Sequence, residues 1–362
     1  MTDFLVLGSG SLARVVCYSL AAVATRPIRV TVVGRDASVV GEIGQVSRVR
    51  AATGGNPVTF RGITLPTWRT EDLASVVAEV VPDAVLLCAS TQSPWEGTAR
   101  PSAWTEFTRR AGFGVTLPFH VELAEAAARA VAEAAPDSLF LNAAFPDAVN
   151  PVLSALGIPV FAGIGNVAVL AAAARARLAE DAEAGELAML AHHLHLHAPA
   201  NPDHEAVVYV AGKRVPAVPL LEAQRRVRRQ EANQVTGLSA ARTLFDVVGD
   251  ATVHTHLPGP MGRPGGYPVT VGSRRIALRL PAGVTEDDAV AANQVWAEQD
   301  SVSVERDRIR FTGAAATMLP ELGPDVPVEF PVRDLAEVRA ALSRHRELLR
   351  GRGPDDFRTR VV

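Results

Sequence analysis

The chain has 362 residues, enough for two domains with a sizeable buried core, and 48% of them are hydrophobic. Its 36 basic and 39 acidic residues are mixed along the chain and leave a net charge of −3, so no basic footprint for nucleic acid or anionic membrane is present and a small-molecule partner is expected. Two cysteines, Cys17 and Cys88, make no disulfide framework; no apolar run of about 20 residues suggests a membrane span and no charged leader precedes the first apolar run, so the expected location is the cytoplasm.

The first apolar run, Phe4-Leu-Val-Leu7, reads as a buried strand that leads through Gly8-Ser-Gly-Ser-Leu-Ala13 into a helix starting at Ser11. A G-x-G-x-x-A pattern in that setting is a dinucleotide fingerprint. Gly8 permits the tight turn, Gly10 lets the backbone approach a pyrophosphate, and Ala13 lets helix and strand pack closely. Ser9, Ser11 and Leu12 complete a loop whose free N–H groups face the phosphates. The second strand, 28–33, ends Gly34-Arg35-Asp36. An acid at this tip accepts from the ribose 2′-OH of NAD, whereas Gly-Arg suits the 2′-phosphate of NADP. Arg35 therefore favours NADP, with NAD the alternative if Asp36 is the ribose ligand.

The alternation continues with a helix at 37–46, a strand at 58–63, a helix at 71–80 and a strand at 84–89, whose tip puts Ala89 and Ser90 beside the cofactor. Continuous apolar strands between amphipathic helices predict a doubly wound parallel sheet buried on both faces. The connection 90–117, rich in Trp, Pro, Gly and Arg, reads as a lid or binding loop. A helix at 121–135, a strand at 138–141, a helix from Pro146, a strand at 160–162 and an Ala-rich helix at 167–184 follow. Beyond Gly185, strand-like segments at 187–197, 206–211, 269–271 and 276–280 surround one long helix at 220–248, which predicts an α+β second domain. The expected organisation is a dinucleotide-binding domain over 1–165, an α+β substrate domain over 166–345 and a flexible tail over 346–362.

Four histidines lie within Ala191-His-His-Leu-His-Leu-His-Ala198. On an extended strand His193, His195 and His197 share one face and His192 takes the other. Imidazole titrates near neutrality and can exchange a proton at a carbon-bound oxygen, or bind a metal. Lys213, the only lysine, sits in a turn and offers little scope for Schiff-base chemistry.

Several segments together resemble the lactate/malate dehydrogenase superfamily. They are Cys88-Ala-Ser-Thr91 with the long loop after it, Asn142 at the fifth strand's tip, Gly163-Ile-Gly165, Tyr209-Val-Ala-Gly212 after the histidines, Ser239-Ala-Ala241, and Gly266-Tyr-Pro-Val269 before Leu278-Arg-Leu-Pro281. The resemblance spans about residues 3–300. It implies an NAD(P)-dependent oxidoreductase, a homodimer, a loop arginine at Arg100, a strand-tip asparagine at Asn142 touching the reacting oxygen, and a catalytic histidine at His197 or His195. It further places Asn233 and Thr236 in the substrate pocket, while Arg263, in a Gly/Pro-rich turn, is available for an anion. The departures are specific. Where the family has an aspartate for the histidine and an arginine for a carboxylate, this chain reads Ala168-Val-Leu-Ala-Ala-Ala-Ala174; the next arginine is Arg175 and the next acid Glu180. Another group, Asp147 or a second histidine, is expected to orient the catalytic imidazole, and the substrate need not be a simple 2-hydroxy acid. Two other readings remain: a metal-plus-dinucleotide enzyme using His193, His195, His197 or His204, and a non-catalytic dinucleotide sensor.

Overall fold

The computed structural model describes residues 1–180 and 185–358. Strand β1 (Thr2–Leu7) is buried from Phe4 onward, and helix α1 (Ser11–Val23) turns a stripe of Ala13, Val16, Cys17, Leu20 and Ala21 inward. The alternation then runs β2 (Ile28–Gly34), α2 (Ala37–Gly54), β3 (Val58–Thr64), α3 (Thr70–Val80) and β4 (Ala84–Leu87). After the long connection come α6 (Leu117–Ala134), β5 (Leu139–Asn142), α7 (Pro146–Ala155), β6 (Ala162–Gly163) and α8 (Asn166–Glu180); residues 181–184 of the expected Ala-rich helix lie outside the described residues.

The six strands form one parallel sheet in the order β3-β2-β1-β4-β5-β6. Successive side chains of β1 serve two cores: Leu5 and Leu7 pack with α3 and α6, Phe4 and Val6 with α1. Chain order reverses between β1 and β4, which opens a crevice at their carboxyl ends.

The connection 90–117, expected to be a lid or binding loop, is largely folded into short helices, and its residues 90–95 and Phe113 line a cavity. It folds into α4 (Glu96–Ala99), α5 (Ala103–Ala111) and a 3-10 turn at Phe113–Thr116. The Ser102 hydroxyl caps α5, and the fully buried Trp104 and Phe107 anchor it in the core, their rings stacked 5.6 Å apart.

The second half holds three small antiparallel sheets among the described residues: β7 (Leu187–Leu190) with β8 (Val207–Val210) and β9 (Lys213–Val215), β10 (Val253–Pro258) with β11 (Gly266–Gly272) and β12 (Arg275–Leu278), and a third nearer the C-terminus. The strand expected over 187–197 stops at Leu190. The His192 N–H donates to the His195 ring at 2.8 Å and the His193 N–H to Asp147 at 3.0 Å, so these groups leave the strand ladder and the chain coils into a 3-10 turn at His193–Leu196. The alternation that put three histidines on one face is lost. The helix expected over 220–248 is two, α9 (Val218–Arg225) and α10 (Arg229–Val248); the break sets Arg229 in the first turn of α10.

Helix α11 (Glu286–Gln299) precedes β13 (Val302–Glu305), β14 (Arg308–Phe311), α12 (Gly313–Leu322), β15 (Glu329–Pro331) and α13 (Leu335–Arg350). Residues from Val302 to Leu349 share a core with Trp104, Phe107 and Phe119, although the sequence assigned most of them to the second domain. Residues 346–358 of the expected tail are also built in. Arg350 brackets the Glu96 carboxylate at 2.6 and 2.7 Å, the Arg352 carbonyl accepts from Ala103 N–H, and α14 (Pro354–Arg358) follows; 359–362 lie outside the described residues. No helix of the described residues is long and apolar enough to cross a membrane.

Candidate active site

A cavity of about 700 Å³ runs from the glycine loop after β1 to the histidine turn after β7. At the first end Gly8 has φ +134, and a Cβ there would meet the Cys88 carbonyl oxygen at 2.8 Å; glycine is what lets the loops after β1 and β4 touch. A Cβ on Gly10 would meet nothing within 4 Å, so the loop backbone is open toward the cavity. Helix α1 has no side-chain cap, which leaves the N–H groups of its first turn available to an anion. These features fit a dinucleotide pyrophosphate. Ser9, Ser11 and Leu12 line this end, Ala89 and Ser90 line the facing loop, and the Trp95 indole N–H donates to Ser11 Oγ at 3.2 Å.

Arg35 lines the cavity with Thr67, Trp68 and Arg69. Asp36 does not line it. Its carboxylate accepts from the N–H groups of Ser38 and Val39 at 2.8 and 3.1 Å and caps α2, which removes the acid that would hold a ribose 2′-OH.

At the other end His193 Nδ1 lies 2.8 Å from Asp300 Oδ2, both residues being buried. Its Nε2 is 3.4 Å from the Arg229 guanidinium, on which the nearby Asp300 charge also acts. With Asp300 accepting from Nδ1–H and the guanidinium able only to donate, the Nε2 lone pair faces Arg229. Two glycines bring Asp300 here. Cβ atoms on Gly112 (φ +100) and Gly114 would fall 2.0 Å from Ser301 Oγ and 2.6 Å from the Asp300 carbonyl oxygen; without them the Gly114 N–H donates to that carbonyl at 2.9 Å. Phe113, between the glycines, stacks on His193 with centroids 4.7 Å apart. Phe145 holds a left-handed backbone at φ 49 and presents its ring edge-on to Phe113 at 4.7 Å and to His193 at 5.5 Å.

The other residues singled out from sequence fall in several places. Asn233 and Thr236 line the cavity. Asn142 is fully buried behind it, donating to the Ala144 carbonyl and Asn150 Oδ1 and accepting from Ala144 N–H, so it shapes the turn that carries Phe145. His195 is fully buried, its Nε2 2.8 Å from the His204 carbonyl, and burial pushes its imidazole down to about 4. His197 and Arg100 are exposed and neither lines the cavity. Arg263 is tied to Glu286 at 2.6 Å. Arg175 lies 3.3 Å from His256 Nδ1. Among the described residues no group of three or more His, Cys, Asp or Glu is arranged to hold a metal ion. Sequence reasoning missed Asp300 and Arg229 and placed His193 only within the cluster. The Gly112-Phe-Gly114 pattern was the one local signal of a close approach, and it does not say what approaches.

No protein-family model matches the chain, and no curated protein does. Solved structures do match it. The apo malate dehydrogenase of Picrophilus torridus is 15% identical with a TM-score of 0.55, covering 83% of this chain and 96% of that one. The malate dehydrogenase of Archaeoglobus fulgidus in complex with NADH is 13% identical with a TM-score of 0.54, covering 82% and 98%. The lactate dehydrogenase of Eimeria maxima with NADH and oxamate is 11% identical with a TM-score of 0.51, covering 81% and 90%. The sheet and its antiparallel second half therefore have the fold of these dehydrogenases.

Proposed function

We propose, from this fold and the cavity within it, that the protein is an NAD(P)-dependent oxidoreductase that interconverts C–OH and C=O, or C–N and C=N, in a small anionic metabolite. The observation that carries the reading is the buried His193–Asp300 pair at the far end of a cavity whose near end is an open glycine loop. The nicotinamide, when bound, supplies or accepts the hydride. His193 Nε2 takes the proton from a substrate hydroxyl during oxidation and returns it to the oxygen during reduction, while Asp300 fixes the tautomer and stabilises the imidazolium. Arg229 binds the substrate's anionic group beside Nε2 and so orients the reacting carbon. Phe113, Phe145, Leu123 and Leu196 line the space and limit water around the transfer.

NADP is the proposed cofactor. Its support is the exposed Arg35 on the cavity wall together with Asp36's commitment to the helix cap. The proposal includes a homodimer, which sedimentation velocity tests; a single species near 38.2 kDa removes it. The functional reading is tested by following NADPH absorbance with a panel of 2-oxo acids. At least one should be reduced by the native protein, and His193→Asn should lower kcat by about 10²-fold or more while leaving NADPH affinity within about twofold. NADPH binding with no reduction of any 2-oxo acid or imine would favour the sensor reading instead.

A further inference from the structure

His120 is a buried histidine that the proposed chemistry does not use. It is 4% exposed and lines the same cavity, and neither of its ring nitrogens has a hydrogen-bond partner. It touches the two phenyl rings that flank His193, lying 5.4 Å from Phe113 and 5.9 Å from Phe145 between centroids. Burial and the neighbouring His193 push its imidazole down to about 3, so the ring is neutral, with one N–H donor and one acceptor nitrogen. A polar ring left unpaired against phenylalanines is costly, and the cost is recovered only if something in the cavity bonds to it.

The charges around the cavity narrow what that something is. Arg35 and Arg69 lie at the glycine-loop end and Arg229 beside His193. Glu122, two residues along the helix from His120, accepts from the Thr91 hydroxyl at 2.8 Å and faces Arg339 at 3.8 Å. His120's ring neighbours are Phe113 and Phe145, no Arg or Lys donates to either of its ring nitrogens, and the titratable group that acts on it is His193. A carboxylate placed against His120 would be buried without a counter-charge, whereas a carboxamide or hydroxyl would be satisfied.

We propose that His120 reads the far end of the substrate, and that the substrate is a monoanion with an uncharged hydrogen-bonding distal group, its charged end on Arg229. This rests on the reading of Arg229 and His193 as the reacting end. The protein would then discriminate against dicarboxylates of the same length.

Calorimetric titration of the NADPH-saturated protein with succinamate and succinate, an isosteric amide and acid, tests this. Succinamate should bind at least about tenfold tighter, and His120→Leu should bring the two within about twofold while its thermal midpoint equals or exceeds the native one, because an unpaired polar ring has been removed. His120→Gln, which keeps a donor and an acceptor, should keep the preference. Succinate binding as tightly as succinamate, a preference that survives His120→Leu, or a clear fall in that variant's midpoint would each overturn the proposal. Reduction of 2-oxo acids without the amide preference removes this proposal alone, and the amide preference without hydride transfer removes only the oxidoreductase reading.

Discussion

Among single residues, the proposed proton transfer depends on one buried carboxylate. Asp300 Oδ2 at 2.8 Å from His193 Nδ1 places the proton on Nδ1, and the donor-only Arg229 guanidinium 3.4 Å from Nε2 places the lone pair there. In Asp300→Asn the side-chain amide can donate to Nδ1 and reverse the tautomer, so kcat should fall by about 10²–10⁴-fold with cofactor affinity unchanged. Steady-state kinetics beside a fluorescence titration of NADPH separates the two effects, and an unaltered kcat would remove Asp300 from the site. Arg35→Asp acts at the opposite end. It should weaken NADPH by about tenfold or more and NADH little, since the removed charge faces only a 2′-phosphate. Equal loss of both cofactors would contradict that assignment.

At the scale of elements, what was legible in the sequence is what neighbours in the chain decide. The path β1, glycine loop, α1, β2 follows from an apolar run, two glycines and a 3.6-residue stripe, all local. The histidine turn was not legible because its determinants are distant. His193 gives its backbone N–H to Asp147, 46 positions away, and its ring to Asp300, 107 positions away, and these partners turn an apparent strand into a 3-10 coil. The same holds for the connection 90–117, whose aromatic residues become core anchors only because β13–α13 pack over them. Arg229 was hidden in an arginine-rich stretch until the break between α9 and α10 set it apart. Gly114 is where a local residue and a distant element meet. In Gly114→Ala the new methyl would lie 2.6 Å from the Asp300 carbonyl oxygen, backbone that cannot easily yield. That variant should lose about 1–3 kcal/mol of stability in denaturant unfolding and lower kcat with it, by displacing Asp300. A variant as stable and active as native would show that Asp300 is positioned by other contacts.

At the scale of the whole molecule, burying several histidines as neutral rings ties stability to pH. Burial pushes His120 down to about 3 and His195 to about 4, and it lowers His256 well below the usual range. Each folded value lies below that of the unfolded chain, near 6.5, so the unfolded chain takes up these protons first as pH falls. The stabilisation is fully present above about pH 6.5 and is lost progressively below it, by up to about 1.4 kcal/mol per pH unit for each histidine until its folded value is reached. Urea midpoints should therefore drop between pH 7.5 and pH 5, and midpoints that hold or rise over that range would mean that the buried rings are not neutral. In the proposed function the two ends of the cavity act together, with a dinucleotide on the glycine loop and a proton exchanged at His193. The pH profile of kcat/KM measured in both reaction directions tests it most directly. Reduction should require one protonated group and oxidation the same group deprotonated, with both dependences absent from the residual activity of His193→Asn. Profiles in that variant that keep the native ionisation would contradict the assignment of His193 as the acid and base.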